Sequence, residues 1–308
     1  MKQYFSLVLK GLALGTANVI PGVSGGTIAL ITGIFERLID AIKSFDITAL
    51  KLLLRGKVQS FIKYTDLKFL VAVFAGVVIA IITIARLFDY FFEHYPVYIW
   101  AYFFGLILAS VFFVGKTITR WSWSVIMFLL VGTGVALVMT YLNPATENSN
   151  FFYLMICGVV AVCSMILPGL SGSFVLILMG NYQLVMIDAV NNARLDILFP
   201  IVLGAILGLI GFSHFLSWVF KSYRNQTIAL LTGFIFGSLG ILWPWKSETY
   251  IKDDLGNLIY KHGEPVISGY QRYFPELIST EVLVALLLMI IGVISIWVME
   301  QTAKATGE

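Results

Sequence analysis

Apolar residues in this chain fall in long runs separated by short polar connections. The runs at 69–88, 97–115, 122–142, 197–220, 227–244 and 281–299 approach the ~20 residues that a helix needs to cross a bilayer. Shorter runs at 4–20, 24–42, 151–167 and 172–190 are marginal for spanning and come in adjacent pairs. Each pair is joined at a Pro-Gly step, Pro21-Gly22 or Pro168-Gly169, and proline cannot continue a helix. Each pair therefore predicts a helix–loop–helix hairpin that enters the membrane and returns.

Composition agrees with the pattern. Hydrophobic residues make up 59% and charged residues 12% of the chain, with a mean hydropathy of +0.92. A soluble domain carries about 25% charge. No cleavable signal peptide is expected, because the run 4–20 leads straight into the Pro21 motif. Cys157 and Cys163 share one apolar segment and are expected to be inert core thiols. No cofactor, metal or nucleic-acid partner is expected.

The chain is written nearly twice. Residues 21–33 read PGVSGGTIALITG and residues 168–180 read PGLSGSFVLILMG, so that Pro21, Gly22, Ser24, Gly25 and Gly33 fall on Pro168, Gly169, Ser171, Gly172 and Gly180 at one offset. Downstream, Gly76, Arg86, Gly105 and Ser110 fall on Gly204, His214, Gly233 and Ser238 at a second offset. The offset changes because the long connection 43–68 has only 191–196 as its counterpart. Repeat 1 covers 1–142, with hairpin 4–42 and spans 69–90, 97–115 and 122–142. Repeat 2 covers 151–300, with hairpin 151–190 and spans 197–220, 227–244 and 281–299. Each repeat crosses the membrane an odd number of times whether its hairpin is re-entrant or spanning, so the two have opposite orientation. The expected fold is an all-α polytopic membrane protein, a single membrane domain of two inverted-topology repeats, each a re-entrant helical hairpin plus three transmembrane helices.

Charge sets the direction. Lys43, Lys51, Arg55, Lys57, Lys63 and Lys68 lie in 43–68, Lys116 and Arg120 in 116–121, and Lys221 and Arg224 in 221–226. The connections 89–96 and 143–150 hold no Lys or Arg. By the positive-inside rule both termini face the cytoplasm. Segment 47–64 reads either as an amphipathic helix on anionic lipid or as an ordinary basic loop. Segment 245–280 reads as an outer folded loop or small cap. The small-residue pattern of Gly204, Ala205 and Gly208 fits a homodimer face or intramolecular packing.

The motif residues suit anion chemistry. Ser24 and Ser171, or Thr27 and Ser173, are natural N-caps for the helices that follow, and Gly25, Gly26 and Gly172 permit close backbone approach. A helix N-terminus presents unpaired N–H donors and roughly half a positive charge, which binds phosphate or carboxylate. Two such ends meeting near the midplane would make a small anion site from Ser24, Gly25, Gly26, Thr27, Ser171, Gly172 and Ser173. The same residues also suit a plain helix kink with tight packing, and duplication at corresponding positions favours the site. Arg86, within an apolar run, needs a partner or a cavity, with Asp89 and Glu93 as candidate partners. Arg86 toward the outer face and its mate His214 toward the inner face suit an anion that crosses, Arg86 as a substrate-binding group and His214 as a gating or coupling one. The other reading is an Arg86 that snorkels to the interface and a packed neutral His214. Glu36, Arg37 and Asp40 sit near the cytoplasmic interface and read either as a group for gating or proton coupling or as a plain interfacial charged cluster.

The run NVIPGVSGGTI from Asn18, the stretch GIFERL from Gly33 and the second copy PGLSGS from Pro168 resemble a bacterial family of polyprenyl-phosphate (undecaprenyl-phosphate) transporters. The likeness covers essentially the whole chain. It implies a flippase in the bacterial cytoplasmic membrane that returns the phosphate headgroup of a carrier lipid from the outer to the inner leaflet, with Asn18 added to the substrate-binding set. Polyprenyl phosphate and bilayer lipids are the implied partners, and a proton or sodium ion is a candidate coupling ion. Two other classes use similar parts: a small-anion or amino-acid secondary transporter, and a polyprenyl-pyrophosphate phosphatase. The phosphatase pattern carries an Arg after the Ser, where this chain has Gly25 and Gly172. The first hairpin also has no Glu pair or His to activate a nucleophile.

Overall fold

The computed structural model describes residues 2–305 apart from 20–23, 143, 191, 251–259, 262–263, 266 and 277–278. Helices account for 77% of the chain. Helix α1 (Lys2–Val19) leads to α2 (Gly25–Ile31) and α3 (Phe35–Lys43). Two short helices follow, α4 (Ile47–Leu54) and α5 (Val58–Tyr64), before the long α6 (Leu67–His94), α7 (Pro96–Gly115) and α8 (Trp123–Met139). The second half runs α9 (Phe151–Ile166), α10 (Gly172–Leu178), a π-helical segment Gln183–Ala189, α11 (Leu195–Ser222), α12 (Arg224–Ser238) and α13 (Thr280–Ala305). Among the described residues Pro96–Gly115, Leu195–Ser222 and Thr280–Val298 are each long and apolar enough to cross a membrane. Leu67–Thr83 joins them when taken with α5, from which it turns by 66°. This is a mostly helical, multi-pass membrane protein.

Local chemistry accounts for the element ends. Asp46 caps α4 through the Thr48 and Ala49 amides at 2.8 and 3.0 Å, and Asn150 caps α9 through the Phe152 amide at 3.0 Å. Pro96 opens α7, where its missing N–H costs nothing. The returning arms expected at 24–42 and 172–190 are each broken in two. Gly33 (φ +75°) and Gly180 (φ +73°) stop α2 and α10. The Gly33 amide donates to the Leu30 carbonyl at 3.2 Å and Ile34 to Ala29 at 3.0 Å. Gly180 donates likewise to Ile177 at 2.9 Å and Asn181 to Leu176 at 3.0 Å. Both are the left-handed glycine stop that satisfies a helix's last carbonyls.

The span expected at 227–244 is shifted. Helix α12 begins at Arg224 and stops at Ser238, ahead of Gly240 and Pro244, which ends any helical continuation. The basic connection 47–64 is neither one helix nor a plain loop, but α4 and α5 with a turn at Gly56 (φ +67°). The segment 245–280 contains strands β1 (Lys246–Tyr250), β2 (Tyr260–Lys261), β3 (Glu264–Pro265) and β4 (Ile267–Arg272). β1 pairs antiparallel with β4, placing Lys246 opposite Arg272, and β2 pairs with β3.

Long helices pack in pairs: α1 on α6, α9 on α11, α7 on α13 and α8 on α12. Glycines set the distance. A Cβ on Gly76 would overlap the Val8 carbonyl of α1, and one on Gly204 the Met155 carbonyl of α9. Gly105 stands in the same relation to Met289 of α13, and Gly233 to Leu129 of α8. Small residues let membrane helices approach to backbone contact. Gly204 and Gly208 thus serve packing of α11 on α9 within the chain. The main core gathers Ile28, Ala29, Phe35 and Leu170 of the motif regions with Phe103, Ile107, Phe234 and Ile235, so residues that follow each Pro-Gly step sit in the buried core.

Candidate functional site

The two motif copies meet. Ser24 precedes α2 with φ −106° and ψ 132°, and Ser171 precedes α10 with φ −106° and ψ 134°. The buried Ser24 hydroxyl donates to the Leu167 carbonyl of the second copy at 3.0 Å. In return the Gly169 amide donates to the Thr27 hydroxyl at 3.1 Å, and Thr27 is fully buried. Gly169 has φ +83° and its Cα lies against the Phe234 backbone of α12, which leaves no room for a side chain. Gly26 packs as tightly on the Ile166 carbonyl.

The two helix starts differ in what occupies their donors. At α2 the Gly25 amide donates to Asn18 Oδ1 at 2.8 Å and the Gly26 amide to Ser24 Oγ at 3.1 Å. A cap of this kind satisfies the first orphan amides of a helix. At α10 the position of Asn18 is taken by Met165. The Ser171 hydroxyl does not cap its helix but bonds the Ser173 hydroxyl at 2.6 Å. Among the described residues, no group accepts from the Gly172 or Ser173 amide. Ser171 and Ser173 are partly exposed, whereas Ser24 and Thr27 are not. Pro21 and Gly22 lie outside the described residues.

A second polar cluster lies where α3 runs along α11. Ser217 donates to Asp40 Oδ1 at 2.7 Å, Lys221 approaches the same oxygen at 3.3 Å, and Lys43 donates to Ser217 at 3.4 Å. Arg224 pairs with Glu36 at 2.8 Å. A small crevice between the helices is lined by Glu36, Ile39, Asp40, Ser217, Phe220 and Lys221. Arg37 turns the other way: it grips both carboxylate oxygens of Asp66 at 2.7 and 3.2 Å and lies over the Phe69 ring at 4.3 Å. At the corresponding place in the second half the polarity is reversed. Asp188 is on the π-helical arm and Arg194 precedes α11, 2.8 Å apart.

The sequence profile described as VCA0040-like, undecaprenyl phosphate translocase-like, matches residues 14–259, which include both motif copies. The chain belongs to this family. A relative from Vibrio cholerae named polyprenyl-phosphate transporter is 41% identical over 244 residues, 79% of this chain and 79% of that one. A relative of the same name from Staphylococcus aureus is 29% identical over 265 residues, covering 77% of this chain and 85% of its own. No solved structure matches.

For this family member, the structure joins Asn18, Ser24, Gly25, Gly26 and Thr27 of the first copy to Leu167 and Gly169 of the second at one junction, with Ser171, Gly172 and Ser173 next along the second copy, and gathers Glu36 and Asp40 at another. Arg37 joins neither. His214 lies on α11 with Nδ1 2.9 Å from the Ile210 carbonyl of its own helix. Arg86 is on α6, and its side chain, like those of Asp89 and Glu93, lies outside the described residues. Sequence reasoning missed the partners Leu167, Gly169, Ser217, Lys221 and Arg224. Lys221 and Arg224 were visible only as topology signals, and backbone groups carry no sequence signal at all.

Proposed function

We propose that this protein carries polyprenyl phosphate, in the undecaprenyl class, across the cytoplasmic membrane, returning the headgroup from the outer to the inner leaflet. The chain is read as two inverted repeats with re-entrant hairpins and both termini in the cytoplasm. The observation that carries this reading is the hydrogen-bonded junction of the two motif copies in the middle of an apolar bundle. Such a junction offers amide and hydroxyl donors at bilayer depth, and a phosphate needs just those donors once stripped of water.

The second copy supplies the receiving side: the hydroxyls of Ser171 and Ser173 and the amides of Gly172 and Ser173. The first copy holds the frame through Asn18, Ser24, Gly25, Gly26 and Thr27. Arg86 draws the headgroup in at the outer mouth, and His214 meets it on the inner side. The links of Glu36 and Asp40 to α11 close the cytoplasmic path and open when the headgroup leaves. The isoprenoid tail stays in lipid throughout, so no apolar tunnel is required. The names of the relatives agree with this substrate.

The test is headgroup transport in proteoliposomes, comparing polyprenyl phosphate, polyprenyl pyrophosphate and free phosphate. Movement of the monophosphate lipid is the expected result. Transport of free phosphate or an amino acid with no lipid movement would replace this reading by a small-anion carrier, and release of phosphate from the pyrophosphate lipid would replace it by a phosphatase.

A further inference from the structure

The connection that breaks the repeat symmetry forms a compact device of its own. Between α3 and α6, helices α4 and α5 fold on each other: Phe45 meets Phe61 edge-on at 6.1 Å, Ala49 is buried, and the Tyr64 hydroxyl donates to Asp46 at 2.8 Å. These contacts close the hairpin. A second apolar stripe is left outside it, formed by Ile47, Leu50 and Leu54 at helical spacing, with Val58 across the turn. Ile47 is 68% exposed and Leu54 78%.

Lys51, Arg55 and Lys57 stand beside that stripe in the chain, with Lys63 at the end of α5 and Lys68 at the start of α6, all exposed. The acids nearby are committed elsewhere. Asp46 caps α4, and its bonds to the Ala49 amide, the Tyr64 hydroxyl and the Thr48 amide hold it below the usual carboxylate range. Asp66 is taken by Arg37. Beside the hairpin, a groove of about 540 Å³ runs between the start of α1, the end of α5 and the start of α6. Its lining is apolar (Tyr4, Ile62, Leu67, Val71, Ala72 and Ala75) except for Lys68. The groove is open along its length, as a surface furrow beside an acyl chain would be, and one wall ends in a cation.

We infer that the α4–α5 hairpin lies in the headgroup layer of the cytoplasmic leaflet, and that the groove beside it holds an acyl chain of an anionic phospholipid whose phosphate rests on Lys68 and Lys63. An apolar stripe bordered by lysines is the pattern of an interfacial helix, and the anionic leaflet supplies the complementary charge. The second repeat has only the short 191–196 at the matching place, so the device serves one leaflet alone. The inference rests on the cytoplasmic assignment of 43–68. It does not depend on which substrate is carried.

The test uses the full chain, purified in mild detergent and offered phosphatidylglycerol, phosphatidylcholine or polyprenyl phosphate, with bound lipid counted by native mass spectrometry. The wild type should retain phosphatidylglycerol in preference to phosphatidylcholine. Removing charge in Lys63→Gln with Lys68→Gln should weaken retention roughly fivefold per residue. Ala75→Trp, on an exposed position of the groove wall, should reduce it without lowering thermal stability. Equal retention of the two phospholipids, or retention unchanged in both variants, would overturn the inference. A groove that takes polyprenyl phosphate and loses it in Lys68→Gln would also overturn it, giving the groove to the carried lipid. Failure of headgroup transport with phosphatidylglycerol binding intact would count against the proposed function alone.

Discussion

Ser24 and Ser171 have the same backbone angles and different tasks. The hydroxyl of Ser24 is spent on structure, taking the Gly26 amide and giving to Leu167. Ser24→Ala removes a cap and a buried bond, each worth about 1 kcal/mol, so a lower melting temperature is expected. The Ser171 hydroxyl bonds only the neighbouring Ser173 hydroxyl among the described residues. Ser171→Ala should leave the melting temperature nearly unchanged and slow headgroup transport. The reverse pattern in paired melting and transport assays would move the receiving side to the first copy. Arg86→Ala should slow uptake from the outer leaflet. Uptake unchanged at equal expression would leave the motif donors sufficient by themselves.

Lys246 gives a separate test at this scale. Its ammonium sits 3.5 Å over the Trp100 ring and donates to the Ile241 carbonyl at 2.6 Å. Burial, with Arg272 opposite it in the sheet, pushes its pKa down to about 7. Unfolded, the group stays protonated to near its ordinary ~10.4. Between those values the unfolded chain binds the extra proton, so cap stability should rise with pH across that window. Lys246→Met should flatten the rise, read from Trp fluorescence during unfolding at pH 7 and 9.

At the scale of elements, α3 is held by two sets of charges: Arg37 to Asp66 within its own repeat, and Glu36 and Asp40 to α11 in the other. These pairs are largely exposed, and such pairs contribute about 0–1 kcal/mol each. On the proposed gating role, their effect falls on transport kinetics rather than stability. Glu36→Arg should impair transport with little change in melting temperature, and adding Arg224→Glu should restore part of it by re-forming the pair in reverse. No rescue in transport assays of the double variant would separate this contact from gating.

At the scale of the whole molecule, the proposed inverted repeat makes a claim about sides. Single cysteines in 43–68 and at either terminus should react with a membrane-impermeant maleimide only from the cytoplasm, and cysteines in 143–150 only from outside. Labelling of 143–150 from the cytoplasm would remove the opposite orientation of the two halves, and the two-sided headgroup path with it.

Much of this was legible in the chain itself. Long apolar runs, proline-glycine breaks and the asymmetry of lysine and arginine are local signals, because a bilayer demands satisfied backbone over a fixed length and taxes each charge separately. The membrane class and the duplication of the motif therefore follow from the sequence. The break at Gly33 and Gly180 was present in both motifs but silent, since a glycine shows its left-handed turn only once a helix needs stopping there. The rest depends on residues far apart in the chain. Asn18 and Met165 occupy matching positions, yet only a folded loop decides that one fills the donors of its helix and the other leaves them open. Glu36 and Asp40 read as an interfacial cluster until α11 brings Arg224, Lys221 and Ser217 beside them. Which polar groups stay unbonded within the protein is decided by these long-range contacts, because a donor already bonded inside the protein has nothing left to offer a ligand.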